Sequence, residues 1–245
     1  AHVPLPPSET VFGVEQVREI PEGTVVSVTA YARRVIAEYS SVFADASITL
    51  RALEVESQAL ARAIAEAEDR TKVIMMVDVG KQTTRIAVVD HGAVAFTATV
   101  DVGGDSLTAA VMKLFGVSEE EAEQIKTERG FLMSKENKNL VEALAASVSA
   151  VRNEVVHHLS YWNNPDENEI PRAPVEKIFL CGGNANLKGF PEFLESAAGI
   201  PVKIANVWVN AFSLNEYVPA MPFHESLEFG TSVGLALRGV QYMPW

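Results

Sequence analysis

Cysteine is nearly absent from this sequence: Cys181 is the single one in 245 residues. One thiol can form neither an intrachain disulfide nor a cysteine metal site, so a reducing compartment is the natural setting. Long apolar runs are missing as well. No stretch approaches the roughly 20 residues of a membrane span, and the opening AHVPLPPSE lacks the charged-then-apolar pattern of a signal, so direct membrane insertion is not expected. Basic residues are scarce, 20 Lys and Arg against 32 Asp and Glu, for a net charge of -12. Such a surface repels a phosphate backbone and argues against nucleic acid as a partner. There is no repeat of solenoid period and no low-complexity tract. The remainder, 48% hydrophobic and 21% charged, suits one large globular domain or two modest ones. The Pro-rich start has no methionine and reads as an interior linker, so further sequence upstream is expected.

Periodicity divides the chain into three parts. In the first, residues 1–52, TVFGVEQV and TVVSVTAY alternate like strands. Tyr31, Val35, Tyr39 and Val42 then recur at spacings of three and four, which predicts a helix with one apolar face. A connecting helix is expected over 53–72, through SQALARAIAEAEDR, with its charged end exposed. From 73 to 245 three strand-like runs, KVIMMVDVG, TRIAVVD and AVAFTATVDVGG, read as an antiparallel meander turned by His91 and Gly92. A helix near Asp105 follows. The next one has Ser118 and Glu121 at capping-box spacing and Gly130 at its C-terminal cap. A longer helix, 139–162, aligns Leu140, Leu144, Val148, Val151, Val155, Leu159 and Trp162. After the break NNPDENEIPRAP, the strand EKIFLCGG, the helix in NLKGFPEFLESAAG and the strand VKIAN form a β-turn-α-β unit. The segment SLEFGTSVGLALRGV predicts a buried helix.

Three strand ends carry the chemistry. In DVGKQTT, Gly80 lets the backbone approach a ligand and exposes N–H groups suited to phosphate oxygens. Asp78 beside a polyphosphate would be repulsive without a hard cation between them, which points to magnesium held partly through water. Thr83 and Thr84 add hydroxyls. The plainer reading of the heptapeptide is a hairpin turn. No helix follows directly, so this is not a dinucleotide fingerprint, and the Walker lysine motif is absent. The pairs Gly103 with Gly104, in VDVGGDSLT, and Gly182 with Gly183, ahead of Asn184 in LCGGNANL, repeat the pattern of strand, glycines and helix. Each fits tight packing or phosphate and nucleoside contacts. Glu123 and Lys126 share a helical face, as a solvated ion pair or as contacts to a ribose and base. Adjacent His157 and His158 point different ways on their helix and read as surface or core residues.

Taken in order, DVGKQTT, the strand hairpin, VGGDSLT, EAEQIK, CGGNANLKG and VGLALRG resemble the actin-like ATPase superfamily, and within it the PilM family of type IV pilus assembly proteins, related to FtsA. The resemblance covers about residue 20 to the end. It implies an α/β fold: an actin-like (ribonuclease H-like) lobe at 73–245 with a small α+β inserted subdomain at 1–52 where partners bind. ATP and Mg2+ are the implied ligands. Asp78, Gly80, Thr83 and Thr84 fall on the second phosphate loop, with Asp78 on the metal side. Gly103 and Gly104 fall near the phosphates, Glu123 and Lys126 on the ribose and adenine helix, and Gly182, Gly183 and Asn184 on the adenosine loop. Glu54 falls loosely near a polar residue beside the attacking water and is not assigned as catalytic. The first Asp-x-Gly phosphate hairpin of the superfamily has no counterpart before residue 73. The implied role is a cytoplasmic scaffold, peripheral to the inner membrane through the cytoplasmic tail of a PilN-like protein, with self-association as a further mode. Its rivals are a sugar or acid kinase of the same superfold and an FtsA-like division protein. RGVQYMPW is too short for the membrane helix that the latter needs.

Overall fold

The computed structural model describes residues 6–165 and 170–241. The outermost parts of the Pro-rich opening and of RGVQYMPW, and the middle of NNPDENEIPRAP, lie outside these residues. Strands β1 (Thr10–Ile20) and β2 (Gly23–Ala32) make the expected antiparallel hairpin, with Val14 opposite Val28 and a bulge between Gln16 and Arg18. Helix α1 (Arg33–Asp45) follows directly. Its apolar stripe is not buried, contrary to the helical reading. Tyr31 belongs to β2, and Val35, Tyr39 and Val42 are 41%, 54% and 65% exposed. A two-stranded sheet offers too little surface to cover a helix face.

Helix α2 is shorter than the expected connection, Glu56–Ile64, and is no exposed spacer: Ala59, Leu60, Ala61, Ala63 and Ile64 are all buried. The charged tail beyond it turns through a short 3-10 segment, Ala67–Thr71, in which Asp69 is buried and lies 2.5 Å from the Lys177 ammonium. The expected exposed exit is therefore a closed corner. A carboxylate can be buried there because a cation from a distant strand meets it.

The meander is as expected: β3 (Val73–Val79), β4 (Thr84–Asp90) and β5 (Ala93–Val100) run antiparallel, with His91 and Gly92 at φ 51° and 85° in the turn. Helix α3 (Gly104–Phe115) leads to α4 (Glu119–Arg129), whose capping box of Ser118 and Glu121 is complete and whose end is closed by Gly130. Along α5 (Lys138–Asn163) every residue of the predicted stripe from Leu140 to Trp162 is buried. Strand β6 (Lys177–Cys181) pairs parallel with β3. After α6 (Phe190–Ala198), β7 (Val202–Ile204) pairs parallel with β6, so the sheet order is β5-β4-β3-β6-β7. The β3 residues Val73 to Val77 and all of β6 are buried, as central strands covered on both faces should be. The His158 ring lies tilted against Phe96 of β5, centroids 5.1 Å apart, and burial, helped by His157 beside it, lowers its pKa.

A short helix α7 (Phe223–Ser226) precedes α8 (Gly230–Gln241). This last helix is only half buried. Gly230 and Gly234 sit against α2, while Leu235 and Val240 face outward, because small residues draw just one side of α8 into contact. No helix among the described residues is long and apolar enough to cross a membrane.

Candidate functional site

The strand ends converge through their backbones. At the end of β3, the Gly80 N–H donates to the Thr83 carbonyl at 3.0 Å, leaving Lys81 and Gln82 at the tip of a tight turn. The Gly80 carbonyl in turn accepts from the Gly104 N–H at the start of α3 and from Asn184 Nδ2 after β6, both at 3.0 Å. Asp105 N–H reaches the Lys81 carbonyl at 2.8 Å. At Gly103 a Cβ would stand 2.6–2.8 Å from Gln82, Lys81 and Gly80 backbone atoms, and at Gly104 it would overlap the Asn184 amide. These glycines thus serve the close packing that was one of their two readings, and the N–H of Gly104 is already committed.

Gly182 adopts φ 84°, and its Cβ position is occupied by Asp78 Oδ1 and the Val79 carbonyl. Gly183 lies against Glu228 Oε1, 2.7 Å from where its Cβ would be. Asp78, Gly104 and Gly183 are therefore brought together at one end of the strands, around Asn184. Asp78 itself is half-buried with Arg85 Nη1 at 3.5 Å, and Arg85 also contacts Glu56 at 2.8 Å. Burial raises the Asp78 pKa; Arg85 opposes that shift without cancelling it, and Glu56 adds to it.

Glu123 and Lys126 are neither a surface pair nor open to a ligand on both partners. Lys126 is 5% exposed, and its ammonium donates to Glu123 at 2.8 Å, Asn184 Oδ1 at 2.9 Å and Thr108 Oγ1 at 3.0 Å. All three of its protons are used. Thr108 also donates to Glu123. Burial alone would raise the Glu123 pKa, but the hydrogen bonds from Lys126 and Thr108 and the charges of Lys126 and Lys81 hold it below its ordinary value. Lys126 pins α4 to α3 and to the turn after β6. Lys126→Met should remove about 2–3 kcal/mol of stability by stranding three partners; urea unfolding showing less than about 0.5 kcal/mol would refute the pin.

Thr83 is half-buried and spends its carbonyl on Gly80. Thr84 is wholly buried and donates to the Val102 carbonyl at 2.8 Å, tying β4 to the end of β5. Its hydroxyl points into the structure because Thr84 falls on the inward side of the strand. Glu54 has both oxygens held, by Arg62 at 2.7 and 2.8 Å and by Arg238 at 2.5 Å. It ties α2 to α8. Sequence reasoning missed Lys81, whose exposed ammonium stands 3.9 Å from both Asp105 and Glu119, and Arg85 beside Asp78. Lys81 was legible inside DVGKQTT, whereas Arg85 is found only from the β3–β4 register.

Two side chains here, Asp78 and Lys81, have the chemistry that a magnesium nucleotide would need. The strand ends offer one partly buried carboxylate, Asp78, that can reach a hard cation through water and the exposed ammonium of Lys81 for phosphate, whereas the Gly182 N–H is already given to the Leu227 carbonyl at 3.3 Å. No group of three or more potential ligand residues occurs among the described residues, so any cation would keep most of its waters.

Residues 10–240 match the family described as type IV pilus assembly protein PilM. This chain belongs to the PilM family of type IV pilus assembly proteins. Among solved structures it is similar to the PilM–PilN type IV pilus biogenesis complex, at TM-score 0.73 and 22% identity over 99% of this chain and 69% of that one. It is also similar to MreB5 of Spiroplasma citri bound to AMPPNP (TM-score 0.64, 15% identity, 86% of this chain and 66% of that). A third likeness is to the ethanolamine utilization protein EutJ of Carboxydothermus hydrogenoformans (TM-score 0.53, 24% identity, 80% and 59%). At these identities the structures establish the actin-like fold. The PilM-family chain spans 59–69% of their lengths.

Proposed function

We propose that this PilM-family chain is a scaffold of type IV pilus assembly that takes ATP with Mg2+ at the joined strand ends and docks the cytoplasmic tail of a PilN-like inner-membrane protein. The observation that carries the nucleotide half is the meeting of Asp78, Gly104 and Gly183 around Asn184 in a chain of this family. The PilM–PilN complex supports the partner half, and AMPPNP on MreB5 supports nucleotide as the ligand class. ATP acts as a conformational ligand, which can shift a two-state equilibrium only by its differential affinity for the closed form. The chain works from the cytoplasmic side and reaches the membrane through its partner.

AMPPNP titrated with Mg2+ into this chain tests the reading. It should bind, and Asp78→Asn should weaken magnesium-dependent binding at least tenfold, about 1.4 kcal/mol. The raised pKa of Asp78 gives the pH sign: a cation displaces the proton, so affinity should climb as pH rises through that raised value. If the chain binds no nucleotide with magnesium, ATP has no place in the function.

A further inference from the structure

The Asn184 side chain lies between groups of opposite hydrogen-bonding character. On one side is the Lys126 ammonium, a donor only, 2.9 Å from Oδ1. On the other are two carbonyls, acceptors only: Gly80 at 3.0 Å and Val79 at 3.5 Å from Nδ2. A carboxamide satisfies both sides in a single orientation. An aspartate of the same shape would turn oxygen towards the carbonyls, and a leucine would satisfy neither side. The backbone beneath the amide is fixed as well, because the Asn184 N–H donates to the Val79 carbonyl at 3.1 Å. Gly104 leaves the amide its room, since a Cβ there would overlap it.

The two sides of this amide belong to different parts of the site. Gly80 begins the turn that carries Lys81 at its tip, and Asp78 stands just before it on β3. The Gly80 carbonyl is held by Asn184 Nδ2 and by the Gly104 N–H, so the set of the turn depends on both. Lys126 belongs to α4. Of the side chains it holds, Thr108 is buried and Asn184 half-buried, whereas the Glu123 side chain is 48% exposed. Glu123 is therefore the member of this hydrogen-bonded chain that a ligand can reach from solvent. A hydroxyl donating to Glu123 competes with Lys126 for the carboxylate, which leaves more of the ammonium's bonding to Asn184 and polarises the amide further towards Gly80.

We propose that Asn184 is the positioning residue of this site: its amide, oriented by Lys126, sets the turn that carries Lys81, so that ligand contacts at Glu123 and ligand contacts at the turn reinforce each other. Assigning a ribose to the first place and phosphates to the second rests on the proposed nucleotide function; the bridge itself does not depend on it. Asn184 then touches no ligand through its amide, because both ends are spent inside the protein.

Two measurements test this, and they fail independently. Without nucleotide, exchange of the Gly80 amide, read by NMR against the central amides of β3, reports opening of the turn, since that N–H closes it on the Thr83 carbonyl. Lys126→Met should speed this exchange about tenfold in the parent, yet change it less than about twofold in an Asn184→Ser background, whose shorter side chain cannot span to Gly80. Asn184→Asp, isosteric with the parent, is the second variant should the first not fold, and it should give the same result. Equal effects of Lys126→Met in both backgrounds overturn the bridge. With magnesium present, Asn184→Ser should weaken AMPPNP about tenfold while changing adenosine, which has no phosphate, less than about twofold. A loss of equal size for the two ligands would mean that Asn184 only supports the fold, and overturns the positioning role. If neither ligand binds the parent, the nucleotide function fails and the exchange cycle alone decides the bridge.

Discussion

Gly234→Ala should destabilise the chain by about 3 kcal/mol, although alanine is the better helix former by about 1 kcal/mol. A Cβ at Gly234 would overlap the Ala59 carbonyl and stand 3.0 Å from Ala59 Cα. Those are backbone atoms in the middle of α2, so no rotamer change relieves the clash and the two helices must separate. The same separation would pull the Gly234 carbonyl from Arg62, which donates to it at 3.0 Å. For a chain of this size the melting temperature should fall by roughly 6–12 °C. A thermal scan in which the variant melts with the parent would show that α2 and α8 do not depend on this crossing. Gly239, which has nothing within 4 Å of its Cβ position, provides the control: Gly239→Ala should leave the melting temperature unchanged or raise it slightly.

Glu54→Gln should cost about 3–5 kcal/mol, because it leaves two arginines facing each other without the anion between them. The Glu54 side chain is 3% exposed and holds Arg62 from α2 and Arg238 from α8. Burial by itself would raise its pKa, but hydrogen bonds and charge from Arg62 and Arg238 outweigh that and keep the carboxyl below its ordinary value. A carboxylate depressed in the folded state stabilises it above the unfolded pKa, about 4.3, and loses that contribution as pH falls through the folded value. Urea midpoints of parent and variant should therefore differ most near pH 7 and converge as pH drops below about 4. A gap that stays constant to pH 3 would mean that the charge of Glu54 is not what joins the helices. Since Arg62 links both sites, the double variant with Gly234→Ala should lose less than the sum of the two single losses.

The candidate site was partly legible. DVGKQTT, VGGDSLT and CGGNANL announced three glycine-lined strand ends, because glycine after an apolar run is a local sign. Their joining through the Gly80 carbonyl and Asn184 needed the parallel pairing of β3 with β6, which brings residues about a hundred positions apart into register. Thr84 shows the reverse: it looked like a donor by position in the motif, yet strand alternation sends it inward to Val102. For Lys126 the spacing gave its neighbour Glu123 and could not reveal Thr108 or Asn184.

Most of the longer helices and strands came from the sequence alone, because a period of 3.6 or 2 and a capping box are properties of adjacent residues. The stripe of α5, the Ser118 cap and the His91–Gly92 turn are of this kind. Whether an apolar stripe finds a surface to cover it was decided only in three dimensions, as α1 shows with its bare face beside a sheet too narrow to cover it. So were the ion pairs Glu54 with Arg238 and Asp69 with Lys177, since chain topology brings together charges that no local pattern relates.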